Sequence, residues 1–460
     1  MRTVRSAQPV RITGRVSAVR GMSVLVQDLP LPVGALVEMP RSRADGGPSH
    51  GEVVGFQGPT AIVMMLGSTG GVRAGDAVVG VRSGQSVPVG DAMLGRCIDG
   101  LGRPIDGLGP IGGTQPRPLD PGPLPALRRR RISKALHTGV RAIDLFTTLG
   151  RGQRMGIFAG PGVGKSTLLG TITRRATSDV NVLALIGERG REVRDFIEQT
   201  LGPEGLRRSV VVCSTGDESP LMRIRAAQAA CSVAEHFRDR GLHVLLLVDS
   251  ITRFAHAQRQ VGLTVGEAPA SKGYTPSVFA AMARLLERAG IVEGEASDRE
   301  PGSITGLYTV LVEGDDMTEP VADAARGILD GHIILSRALA QRAHYPAIDV
   351  LDSVSRVADD VCDGHHVAAR RMLTRLLASY REVEDLVQIG AYARGSNPET
   401  DLALAYAPRI NELLRQGKDD ATGFEQARAL AIKLAMDAGN QPPAQPGGRA
   451  AGGGAARRAG

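Results

Sequence analysis

The chain has 460 residues, 42% of them hydrophobic and 22% charged; the balance is that of a globular protein, and the length suggests about three domains. No apolar run reaches the roughly eighteen residues that a membrane-spanning helix needs, which excludes an integral helical membrane protein. The net charge of +7 picks no partner, and with 3% aromatic residues and no tryptophan the chain is poorly equipped to stack bases as single-strand binders do.

The N-terminus, MRTVRSAQPVRITG, has basic residues but no apolar segment after them, which argues against secretion. Through residues 1–85, short runs such as VRITGRVSAV, MSVLVQD, GEVVGF and TAIVMML alternate apolar with polar positions between Gly, Pro and Asp turns. Close-spaced short strands of this kind predict a small antiparallel barrel. Residues 86–125 are rich in Gly and Pro and read as a connection rather than a core. The dense basic run Arg128–Arg131 follows, and such a run is more often a solvated loop than a binding stripe. Over 126–354, apolar runs of strand length (RMGIFA, NVLALIG, SVVVCST, HVLLLVDS, ITGLYTVLV) alternate with helical stretches. That alternation predicts a parallel sheet covered on both faces. Over 355–440 the strands end, and Leu373, Leu376, Leu377, Tyr380, Val383 and Val387 recur at helical spacing. Residues 441–460, a Gly/Ala/Arg-rich segment, are expected to be disordered. The four cysteines (Cys97, Cys213, Cys231, Cys362) show no metal-ligand spacing and read as reduced thiols.

The most specific motif is AGPGVGKST, Ala159–Thr167, placed between a strand and a helix. Gly160, Pro161, Gly162, Val163 and Gly164 form a loop whose backbone N–H groups, with the helix N-terminus, can cradle phosphates. Lys165 brings a positive charge to the β- and γ-phosphates, Ser166 offers a hydroxyl to Mg²⁺, and Thr167 continues the helix start. Ala159 stands where a first glycine is usual. Asp249 closes the apolar strand HVLLLVDS, where a carboxylate can hold the water shell of the magnesium. Glu188 follows a buried strand and can polarise the attacking water, with Glu192 and Glu198 as nearby competitors.

Several longer segments carry a family resemblance. GERGREV, LLLVDSITRFA, EGDDMTEPVADAARGILDGHIILSR and YPAIDVLDSVSRV resemble the catalytic subunits of rotary ATPases and type III secretion ATPases, over roughly residues 10–440. GDDMTEPVADAARGILDGH together with GYTPSVFAAMARLLERAG is most similar to the flagellum-specific export ATPases, with injectisome ATPases as the nearest rival. The resemblance implies a RecA-like P-loop α/β core between an N-terminal β-barrel and a C-terminal helical domain, with ATP and Mg²⁺ as substrate and cofactor. It makes Glu188 the catalytic glutamate, with Arg189 helping to orient it. It places Tyr345 against adenine and makes Arg356 the arginine finger reaching a neighbouring subunit's γ-phosphate. It further implies a cytoplasmic homohexamer, peripherally associated with the inner membrane at an export apparatus. The expected partners are a stator-like regulator, a central stalk protein, the export gate, and export substrates with their chaperones, but no specific nucleic acid. The segment ahead of the barrel is short for the regulator contact.

Other readings are a rotary proton-translocating subunit, a hexameric RNA translocase and a non-catalytic regulatory subunit. The EGDDM…AARGILDGH pattern argues against the first, the scarcity of aromatic residues against the second, and intact Lys165, Glu188 and Asp249 against the third.

Overall fold

The computed structural model describes residues 11–39, 48–293, 300–312, 314 and 316–440. The Gly/Ala/Arg-rich segment 441–460, expected to be disordered, lies outside the described residues.

Six strands close into an antiparallel barrel: β1 (Thr13–Arg20), β2 (Ser23–Gln27), β3 (Leu36–Met39), β4 (Ser49–Gln57), β5 (Thr60–Met65) and β6 (Ala77–Arg82), in the order β1-β2-β5-β4-β3-β6. The period-two pattern of the sequence sends Val16, Val24, Val26, Val37, Val53, Val63 and Val78 inside. β-branched side chains suit such a pleated, half-buried surface.

The large sheet holds β7 (Cys97–Ile98), β8 (Arg154–Ala159), β9 (Val180–Glu188), β10 (Ser209–Thr215), β11 (His243–Asp249), β12 (Ser303–Leu311), β13 (Gly331–Leu335) and β14 (Ile348–Ser355). Its order is β14-β13-β8-β12-β11-β9-β10-β7, with a short ninth strand at Gly290–Ile291 pairing β12 off this path. From β13 to β7 the pairings are parallel, while β14 runs antiparallel to β13. Every residue of β9 is buried. Val182, Ala184 and Ile186 join one apolar cluster, whereas Leu183 and Leu185 join the other. A strand whose two faces are both covered must be apolar throughout, which is why these runs lack alternation.

On the first face lie α3 (Pro220–Arg238), α4 (Ile251–Thr264), α5 (Pro276–Leu286) and α6 (Pro320–Ile328); on the second lie α1 (Arg141–Phe146) and α2 (Lys165–Arg175). The C-terminal helices α7 (Gly364–Gln388), α8 (Pro398–Leu414) and α9 (Phe424–Gly439) extend this second cluster through Leu373, Leu376, Tyr406, Ile410 and Ala431. Their apolar spacing has the period that the sequence showed.

The Gly/Pro-rich stretch 86–125 departs from its reading as a connection. Cys97–Ile98 forms an edge strand of the large sheet, and Met93, Ile98 and Leu119 are fully buried in its core. Two paired residues and isolated apolar anchors are too short to register as a period. The basic run is also resolved: Arg129 pairs with Glu287, Arg130 with Glu293 and Arg131 with Asp360, while Arg128 donates to the Glu293 carbonyl. These contacts strap the connection to the core.

The barrel is tied to the core by a buried charge pair. Arg225 of α3 meets Glu52 of β4 at 2.6 Å, with side chains 4% and 6% exposed. Burial pushes the Glu52 carboxyl up, and the Arg225 charge works against that push. Arg225→Leu strands a buried carboxylate, and we expect a loss of about 3–5 kcal/mol. Denaturant unfolding monitored at the barrel and at the core checks this, and an unchanged midpoint refutes the joint.

Candidate functional site

The C-terminal ends of parallel strands are where an open α/β sheet holds its ligands. β8 ends at Ala159, and the loop Gly160–Gly164 turns from it into α2. Gly164 caps the helix with φ +90°, a left-handed geometry suited to glycine. A Cβ there would stand 3.6 Å from the Tyr345 ring. Lys165 opens the helix. Ser166 and Thr167 follow in its first turn, both exposed at the same end, while Val163 is buried and anchors the loop. Gly160 leaves the strand buried, and Pro161 and Gly162 are exposed at the loop tip.

Three charged groups from three separate elements meet at this end of the sheet. The Lys165 ammonium donates to Asp249 Oδ1 and lies 3.8 Å from Glu188 Oε1. Thr309 on β12 also donates to Asp249 Oδ1, at 2.6 Å, so both contacts fall on one oxygen. Asp249 and Glu188 are 5% and 9% exposed. Glu188 is aimed by a bulge: the pairing of β9 with β10 slips between Ile186 and Glu188, and Gly187 between them has φ +68°. A bulge re-aims the side chain that follows it. A Cβ on Gly187 would come within 2.9 Å of Arg253 Cδ, so glycine also leaves room for that arginine.

Arg253 is the residue that sequence reasoning missed. It sits in the first turn of α4, where the Ser250 hydroxyl caps the helix by accepting from its N–H. Its guanidinium donates to the Gly187 carbonyl and reaches Glu188 Oε2 at 3.4 Å. The signal was present in DSITRF, four residues beyond Asp249, but only the fold brings it beside Glu188. Arg189, by contrast, makes no direct contact with Glu188 among the described residues. It follows the last residue of β9, caps the next helix and turns outward, 82% exposed, onto Glu192 at 3.0 Å.

Burial holds the Glu188 carboxyl above the usual carboxylate range, and the Asp249 charge adds to the shift; Lys165 and Arg253 oppose it. A base acts when ionised, so its activity is lost as pH falls through this raised value. Arg253→Gln removes one opposing charge and one tether. We expect nucleotide binding to persist, kcat to fall about 10- to 100-fold, and the acid limb of the kcat profile to move to higher pH. An acid limb that stays put detaches Arg253 from Glu188.

Beside the loop lies a cavity of about 380 Å³, walled by Val163, Gly164, Thr167, Tyr345 and Ala347. Tyr345 is 46% exposed, an aromatic face left open to an apolar cavity. The opposite wall, Gln416–Lys418, comes from the segment between α8 and α9. Gln416 donates its backbone N–H to the Tyr345 carbonyl at 2.9 Å and accepts from Arg141 N–H at 2.9 Å. No local pattern in the sequence marks that wall.

Arg356 is elsewhere. It follows β14, whose antiparallel course returns it to the N-terminal end of the sheet. Ser355 pairs with Gly331, the start of β13, whereas Leu335 at the far end of β13 pairs with Ala159. Four residues of strand separate the two levels, roughly 13 Å. Arg356 is exposed, and its guanidinium has no ion pair or hydrogen bond among the described residues.

Residues 139–355 match the nucleotide-binding domain of the ATP synthase alpha/beta family, 9–82 its beta-barrel domain, and 362–430 the C-terminal domain of the type III secretion ATPase EscN. The chain is 49% identical over 440 residues to the flagellum-specific ATP synthase of Treponema pallidum, covering 96% of this chain and 97% of that one. The chain belongs to the type III export branch of the ATP synthase alpha/beta family. Another relative in this branch is the type 3 secretion system ATPase of Xanthomonas euvesicatoria, 47% identical, with 92% of this chain and 94% of that protein covered. Among solved structures, the assembled ATPase EscN from the type III secretion system of enteropathogenic E. coli superposes with a TM-score of 0.85 at 39% identity. It covers 92% of this chain and 100% of its own. The same ATPase bound to its central stalk EscO gives 0.83. As a member of this family the chain is an ATP-hydrolysing enzyme. No helix among its described residues is long and apolar enough to cross a membrane.

Proposed function

We propose that this chain hydrolyses ATP as one subunit of a homohexameric ring and thereby drives flagellar protein export. The observation carrying the proposal is the division of the site across the sheet. The phosphate loop, Glu188 and Asp249 stand at one end, and Arg356 stands at the other, unpaired among the described residues. A guanidinium about a strand's length from its own phosphates has work only at a neighbour's. One interface then completes one site, and six such interfaces close a ring.

Within the site, the loop backbone and Lys165 bind the phosphates, the Tyr345 cavity takes adenine, and Glu188 orients water and holds its proton. The residues fit magnesium. Asp249 Oδ2 has no hydrogen bond among the described residues, and the Ser166 hydroxyl stands at the adjoining helix start. Among the described residues no cluster of three His, Cys, Asp or Glu side chains could hold a metal alone. That suits an ion kept through water and phosphate oxygens. Bound there, magnesium would neutralise charge on the phosphates.

The expected setting is the cytoplasmic face of the inner membrane, with a stator-like regulator, a central stalk protein, the export gate and chaperoned substrates as partners. A flagellar relative matches at 49% identity and an injectisome relative at 47%, so the experiment must separate the two. The gene is expressed in a strain lacking its flagellar export ATPase and in one lacking its injectisome ATPase. Restored swimming without restored effector secretion is the expected result; the reverse establishes the injectisome reading.

A further inference from the structure

A second cavity, about 610 Å³ and larger than the one beside the phosphate loop, lies at the opposite end of the sheet. Its walls are the ends of α3 and α5 and the segment Arg117–Arg129. β11 begins just after α3, so the cavity adjoins the N-terminal ends of the strands, away from the nucleotide. Nothing in the ATPase cycle described above uses it.

Five guanidinium groups line it, and their pairing is incomplete. Arg288 is satisfied: it grips both oxygens of Glu235, at 2.7 and 2.9 Å, and donates to the Leu119 carbonyl. Arg117 and Arg238 share Asp239, at 2.6 and 2.7 Å. Arg238 is 6% exposed, yet its Nη1 finds no acceptor among the described residues. Arg284 is exposed at the cavity and has no hydrogen bond or ion pair among the described residues. With Arg129, these five face four carboxylates: Asp120, Glu235 and Glu287 in the wall, and Asp239 behind it. The surplus of one positive charge therefore rests on Arg284, since Arg238 is paired with Asp239. The fork open to the cavity is that of Arg284, and a guanidinium of this shape is matched by a planar or tetrahedral oxyanion. Pro121, Pro123, Leu124 and Ala126 supply an apolar wall beside the charge. The volume is that of a small-molecule site.

We infer that this cavity is a second ligand site, separate from the phosphate loop, for a small organic oxyanion carrying a phosphate or several carboxylates. Arg284 holds the charged group, and the proline-rich wall packs on its body.

The chain has no tryptophan, so Leu124→Trp installs a single reporter in the wall. The full-length protein, with ADP in excess to fill the phosphate loop, is titrated separately with inorganic pyrophosphate and with citrate. Calorimetry on the unaltered chain repeats both titrations in case the reporter disturbs the fold. Saturable binding of either probe is expected, weakened about tenfold or more by Arg284→Ala, which removes a charged contact. Basal ATPase activity should be unchanged in that variant, and Arg191→Ala, a remote exposed arginine, should change nothing. Preference for pyrophosphate assigns a phosphate ligand, and preference for citrate a polycarboxylate. Absence of saturation by either probe, or binding indifferent to Arg284→Ala, overturns the site.

Discussion

Rings assembled only from Arg356→Ala subunits bind ATP nearly as well as the unaltered chain, and turn it over about 10³–10⁵-fold more slowly. The lost guanidinium acts on charge that builds up on the γ-phosphate oxygens as the bond breaks, so ground-state binding is spared. Lys165→Ala rings fail for the opposite reason, with intact arginines facing sites that hold no nucleotide. Mixing the two variants under conditions of subunit exchange should recover activity that neither has alone. Some interfaces then join an intact phosphate loop to an intact Arg356. The specific activity of the unaltered chain should also rise with concentration as the ring assembles. Demonstrated exchange without recovery, together with a specific activity constant down to the monomer, would assign Arg356 to its own subunit. The roughly 13 Å of strand between the two ends would then need another explanation.

Glu188→Gln and Lys165→Ala should separate binding from chemistry. Glutamine keeps the shape of Glu188 and can still accept from Arg253, but it cannot take a proton, so kcat should drop about 10²–10⁴-fold with nucleotide affinity little changed. Losing Lys165 removes a charged contact to phosphate, a loss of about 1.5–3 kcal/mol in binding. It also leaves Asp249 and Glu188 without the ammonium between them, and their two charges then repel the nucleotide as well. Equilibrium binding of a labelled nucleotide and single-turnover hydrolysis measure the two quantities independently. Wild-type turnover in Glu188→Gln would pass the role to another carboxylate, with Glu192 the first to test.

What the sequence showed, and what it hid, divides by range. The phosphate loop, the strand ending in Asp249 and the apolar strands of the sheet are each written within about ten consecutive residues, and periodicity or a fixed motif spacing reports them directly. The helical spacing of Leu373, Leu376 and Leu377 is local in the same way. Arg253 is not local: it touches Glu188 because α4 begins beside the end of β9, 65 positions apart in the chain. The wall Gln416–Lys418 reaches the nucleotide cavity from the C-terminal helices, across 275 positions in the Arg141–Gln416 contact. The edge strand Cys97–Ile98 was concealed for another reason, because two residues in a Gly/Pro-rich stretch carry no period. Arg189, next to Glu188 in sequence, pairs with Glu192, a contact that adjacency does not report.

The antiparallel return of β14 gives each subunit a direction. One end of its sheet receives nucleotide and the other presents Arg356, so in the proposed ring the contact between copies is head-to-tail and every site faces the same way round. β8, β13 and β14 are hydrogen-bonded side by side into one stiff plate. In the proposed ring, a tilt of the phosphate loop would be carried through that plate to Arg356 at the next site. Firing order around the ring would then be set by the geometry of a single sheet, with no separate relay element between the sites.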